Sequence, residues 1–110
     1  MDNLKEFLKL AERYDNISRR EIRRLMRINR KNAKRKLTGF GFESTCTLCI
    51  SARLCINCIW TIKTNSVCYK KENAKTYFDI LNAKNSKQLA KAYKARAAYM
   101  REVLERSNHE

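Results

Sequence analysis

Five cysteines, Cys46, Cys49, Cys55, Cys58 and Cys68, fall in one short stretch of a 110-residue chain with the spacing Cys-x2-Cys-x5-Cys-x2-Cys-x9-Cys. Two thiolates separated by two residues can turn onto one ion, and two such knuckles complete the tetrahedron that Zn2+ takes in structural sites. One structural zinc ion is therefore the expected cofactor. Spacing alone leaves the ligand set open. The paired choice is Cys46, Cys49, Cys55 and Cys58, although the short connection between the pairs forces a tight fold, and Cys68 can stand in for Cys55 or Cys58. An iron-sulfur cluster also uses four thiolates, and buried free cysteines are the plainest alternative.

The same residues argue against catalysis. Four sulfurs close the tetrahedron and leave no position for an activated water. A cysteine nucleophile needs a neighbouring base, and the single histidine, His109, sits one residue from the C-terminal end. A disulfide framework is disfavoured by the odd number of cysteines and by an N-terminus in which Asp2, Lys5, Glu6 and Lys9 interrupt any apolar signal-peptide core. The expectation is a cytoplasmic protein. No uninterrupted apolar run approaches the roughly 18 residues of a membrane span, so no membrane insertion is expected.

The residues Cys46-Thr47-Leu48-Cys49, followed by Cys55-Ile56-Asn57-Cys58, Trp60 and Cys68, resemble a pattern in small phage and prophage proteins. The resemblance covers the cysteine region alone. Those proteins often carry proline after the fourth cysteine, where this chain has Ile59. The resemblance implies a small phage accessory protein acting in the host cytoplasm, a class that includes inhibitors of host defence, and it carries over no functional residue beyond the cysteines.

The elements that must position the cysteines read as helices. The chain has no proline and only Gly39 and Gly41 as glycines, so helices can run long. Leu4, Phe7, Leu8 and Ala11 recur at helical spacing and predict a first helix over Asn3–Tyr14. Ser18 followed by Glu21 is a capping-box pattern that starts a second helix. Ile22, Leu25, Met26, Asn29, Ala33 and Leu37 share one arc of that helix, and Gly39 supplies its stop. A break near Ile28 and Asn29 would turn it into a helix-turn-helix, and the sequence leaves both readings standing. Ile59–Lys63 and Val67–Tyr69, joined through Thr64, Asn65 and Ser66, read as a short β-hairpin. Ala74, Tyr77, Phe78 and Leu81 predict a short helix, and Asn85 with Ser86 a break and a new cap. The last helix runs from Lys87 to Arg106, with Leu89, Tyr93, Ala97, Met100 and Leu104 as its core stripe. The fold class expected is a single, mainly α domain: basic helices over 1–38, an inserted zinc-knuckle lobe over 39–70 with the hairpin, and C-terminal helices over 71–110. A domain this small buries a modest share of its surface, and a metal staple would help to stabilise it.

The formal net charge is +14, and its distribution says more than its size. Between residues 16 and 38 ten Lys or Arg face Glu21 as the sole acid. Arg20, Arg23, Arg24, Arg27, Arg30, Lys31, Lys34 and Arg35 lie opposite the apolar arc, with Lys87, Lys91 and Lys94 as support from the last helix. Such a face can neutralise phosphates and release counterions, so DNA or RNA is the first expected partner. An acidic protein or nucleoprotein surface, bound by an inhibitor or adaptor of the anti-defence kind, is the second, because charge steers that encounter equally well. Attachment to an anionic membrane surface fits less well, since Ile22, Met26 and Leu37 are better used in a core.

Overall fold

A computed structural model of the chain describes residues 3–41, 46–52 and 57–107. Helix α1 spans Leu4–Asn16 and buries Phe7, Leu10, Ala11 and Tyr14. This face is rotated from the expected one: Leu4 and Leu8 are 40% and 48% exposed, while Leu10 and Tyr14 are inside. The aromatic ring of Tyr14, stacked on Tyr93 at 5.2 Å between centroids, decides which of two competing apolar arcs turns inward.

Helix α2, Arg19–Ile28, begins where the capping pattern placed it, with the Glu21 amide donating to Ser18 Oγ at 3.1 Å. It does not continue as one long rod. Asn29 leaves helical geometry at φ −153° and ψ 62°, a 3-10 turn covers Arg30–Asn32, and α3 runs over Ala33–Thr38. The helix-turn-helix alternative is the one adopted. Gly39 closes α3 at φ 77°, its amide donating to the Arg35 carbonyl. A left-handed stop of this kind favours glycine because no Cβ meets the following carbonyl. The bend lets Ala33 and Leu37 reach the core, at 0% and 4% exposure.

Helices α4, Thr47–Ala52, and α5, Ile59–Thr64, carry the cysteine segment. The expected hairpin is not formed: residues 59–64 are helical, residues 65–70 are turn, and no strand occurs among the described residues. Consecutive strand residues point to opposite faces, whereas here the neighbours Ile59 and Trp60 are both buried, at 1% and 2% exposure, while Ile62 faces out at 49%. A helix satisfies that burial. Asn65, left-handed at φ 57°, ends it by donating its amide to the Thr61 carbonyl.

A 3-10 turn at Lys71–Asn73 leads into α6, Ala74–Leu81, and α7 then spans Ser86–Ser107. The start of α7 is capped reciprocally. Asn85 Oδ1 accepts from the Gln88 amide and Gln88 Oε1 accepts from the Lys84 amide, each at 2.8 Å. α7 is the central element, packed by α1, α2, α5 and α6. Its stripe Leu89, Tyr93, Ala97 and Met100 is fully buried, and Val103 lies deeper than the half-buried Leu104. The chain is mainly α, and Leu48, Ala52, Ile59 and Trp60 from the cysteine segment belong to the same core as α1 and α7.

Candidate metal centre and basic surface

Cys46 precedes α4, its carbonyl accepting from the Ile50 amide at 3.0 Å, and Cys49 lies one turn further on. Residues three apart share a helix face, so the x2 spacing sets these two thiols side by side. Cys58 caps α5 through its carbonyl, which accepts from the Ile62 amide at 3.0 Å. Cys68 arrives from the turns after α5. The Cys49 thiol hydrogen-bonds with Cys46 and lies in electrostatic range of Cys68 and Cys58. Burial first, and then the neighbouring sulfurs, push it up to about 12 from an ordinary thiol value of 9.0. Without a cation the Cys49 thiol keeps its proton, because a thiolate there would be poorly solvated and repelled by any neighbouring thiolate. Cys55 lies outside the described residues, as does His109.

The donor chemistry suits zinc, since the neighbouring groups are sulfurs. The geometry is looser than a closed site: among the described residues no group of three or more His, Cys, Asp or Glu side chains is drawn into a ligand arrangement.

Two residues that pattern reading did not single out hold the cysteine segment in place. Asn3 is 1% exposed. Its Nδ2 donates to the Leu48 carbonyl at 3.0 Å and to Cys58 Sγ at 3.5 Å, and its Oδ1 accepts from the Ile59 amide at 2.8 Å. One amide thus ties the start of α1 to both α4 and α5. Asn73, 0% exposed, donates through Nδ2 to Thr64 Oγ1, the Ser66 carbonyl and the Val67 carbonyl, and accepts from Tyr99 OH at 2.6 Å. It fastens the turn that delivers Cys68 to α7. A single sequence offers no signal for either, because Asn is most often a surface or turn residue.

The basic residues separate into two kinds. Arg20, Arg23, Arg24 and Arg27 are exposed along α2, with Lys31 beyond the bend and Lys87 and Lys91 on α7, the helix against which α2 packs. Glu21, the acid of that segment, is held by Arg13 at 2.7 Å. No ion pair among the described residues neutralises Arg20, Arg23, Arg24 or Arg27.

The other cations are engaged within the fold. Arg30 Nη2 donates to the Lys84 carbonyl and Lys34 Nζ to the Leu81 carbonyl, at and just beyond the end of α6 where carbonyls lack helical partners. Burial and the nearby Arg30 lower the Lys34 pKa. Lys94 Nζ donates to the Asp15 carbonyl at 3.2 Å. Arg35, with Lys9, Arg13 and Lys36, lines an open cavity of about 430 Å3 between α1 and α3. The bend at Asn29 therefore divides the eight cations, and they do not form one helix face.

Comparison with family models, curated proteins and solved structures returns no match. No helix among the described residues is long and apolar enough to cross a membrane.

Proposed function

We propose that this chain is a noncatalytic, zinc-stabilised protein that binds DNA or RNA through the surface formed by α2 and the adjoining part of α7. The observation that carries the reading is the set of exposed arginines on α2, Arg20, Arg23, Arg24 and Arg27, whose segment's acid is taken up by Arg13. Lys31, Lys87 and Lys91 extend that surface. Arginine's planar fork suits phosphate oxygens and guanine edges. The bent helix-turn-helix course of α2 and α3 is compatible with presenting one helix to a groove while the other braces it.

The zinc would be structural, held by four of the five cysteines, and the electrostatic range that links Cys49 to Cys46, Cys68 and Cys58 supports this reading. The resemblance of the cysteine segment to phage proteins supports an accessory role in a phage, with a protein-directed inhibitor as the competing use of the same charge.

The test is a binding titration with random-sequence duplex DNA, duplex RNA and single strands over a salt series, alongside metal analysis of protein purified without added zinc. The expected result is binding whose logarithm falls linearly with the logarithm of salt, by about 0.9 per phosphate contacted on duplex DNA and about 0.7 on single strands. No binding at low salt overturns the nucleic-acid reading and leaves the inhibitor reading. Absence of stoichiometric metal, with none taken up on addition, overturns the zinc reading.

A further inference from the structure

Arg96 is on α7 and is 3% exposed. Its Nη1 donates to the Asn73 carbonyl at 2.9 Å and to Thr76 Oγ1 at 2.8 Å, its Nη2 donates to the Cys68 carbonyl at 3.1 Å, and the guanidinium carbon stands 4.2 Å from the centre of the Trp60 ring. These partners are all neutral. An arginine keeps its charge in proteins, and a buried charge is normally matched by an opposite one. None of the ion pairs among the described residues includes Arg96.

The acidic groups in electrostatic range of Arg96 are Tyr14, Cys68, Tyr99, Cys46 and Tyr77. Burial raises the pKa of Tyr14 and of Tyr77, so those phenols stay neutral. Tyr99 OH donates to Asn73 Oδ1, a role that uses its proton. Among the described residues in that range, the cysteine sulfurs are the remaining groups able to become anionic, and a divalent cation is what would make them so. When zinc binds, four S–H groups release their protons to solvent and four Zn–S bonds form. The product carries two more negative charges than positive. A guanidinium beside it would balance part of that excess.

We propose that Arg96 is the charge partner of a tetrathiolate zinc centre that includes Cys68, holding Cys68 by its carbonyl while compensating the thiolates' surplus charge. The inference rests on the zinc reading above and adds to it one ligand and one positioning residue. Asn73 completes the arrangement, since it accepts from Arg96 through its carbonyl and pins the Ser66 and Val67 carbonyls just before Cys68. Removing an outer partner of a metal ligand commonly weakens metal binding by about 10- to 100-fold.

The test measures zinc affinity of the full chain by chelator competition for wild type, Arg96→Gln, Arg96→Lys, Thr76→Val and Cys68→Ser. Arg96→Gln is expected to weaken zinc binding by about 10- to 100-fold. Arg96→Lys, which keeps the charge, recovers most of that loss, and Thr76→Val, which removes a neutral partner, stays close to wild type. Cys68→Ser loses at least as much affinity as Arg96→Gln. A second readout separates charge balance from packing: Arg96→Gln lowers the melting temperature of the zinc-loaded protein and leaves that of the zinc-free protein unchanged or higher. Equal zinc affinity for wild type and Arg96→Gln overturns the role of Arg96, as does equal weakening by Lys and Gln. Should Arg96→Gln not fold, the Lys variant and Cys68→Ser decide: wild-type affinity in Cys68→Ser overturns the ligand assignment. Wild-type protein that takes up no zinc overturns the metal reading itself, a different result from zinc bound equally by all variants.

Discussion

Asn3 Nδ2 donates to Cys58 Sγ at 3.5 Å while the same side chain receives the Ile59 amide at 2.8 Å. The first helix and the cysteine segment are thereby joined through a buried polar contact between residues 55 positions apart in the chain. Asn3→Ala would leave the Ile59 amide and the Leu48 carbonyl without this partner inside the protein. A buried group so orphaned costs about 1–3 kcal/mol. Denaturant unfolding should show a loss of that size, with the slope unchanged.

The division of the cations predicts that neighbouring basic residues behave oppositely. Arg23→Ala and Arg27→Ala should each reduce the salt slope of duplex DNA binding by about 0.9 and leave stability within about 0.5 kcal/mol. Arg30→Ala should do the reverse. It loses a charged donor to the Lys84 carbonyl, a change worth about 1 kcal/mol of folding stability, with little effect on the slope. Wild-type slopes for both Arg23→Ala and Arg27→Ala would remove α2 from the interface.

Ser18→Ala tests the start of α2. The Glu21 amide loses its side-chain acceptor, and loss of such a cap costs about 1 kcal/mol. Because α2 carries the arginines, thermal unfolding should fall in midpoint while binding at low temperature persists.

The buried tyrosines set an alkaline limit. Burial pushes the Tyr93 phenol up to about 12 from its ordinary 10.0. The folded protein therefore keeps a proton that the unfolded chain gives up, and stability falls as pH rises wherever the unfolded state holds fewer protons. The contribution is fully present below pH 10 and is lost progressively up to about 12. Tyr93→Phe should flatten this part of the stability profile, and phenolate absorbance should rise in step with unfolding.

Several elements were legible in order along the chain. Ser18 with Glu21, Gly39, and Asn85 each act through groups within four residues of themselves, so local pattern was enough to place the start of α2, the end of α3 and the start of α7. The stripe Leu89, Tyr93, Ala97 and Met100 was legible for a related reason: a long helix with one apolar face has one way to bury it. The cysteine spacing likewise set Cys46 and Cys49 on one turn.

What the sequence by itself determined is the mainly helical class, these local signals and the concentration of positive charge. Tertiary structure alone decided which face of α1 turned inward, that the basic segment bends at Asn29, that Ile59–Thr64 is helix, and which cations remain free of α6. It also brought Asn3, Asn73 and Arg96 to the cysteine segment and the turn that follows it. The physical reason is common to all of these. Each depends on a partner distant in the chain, such as Tyr93 for Tyr14, the Leu81 carbonyl for Lys34, or the Cys68 carbonyl for Arg96, and periodicity carries no record of such a partner.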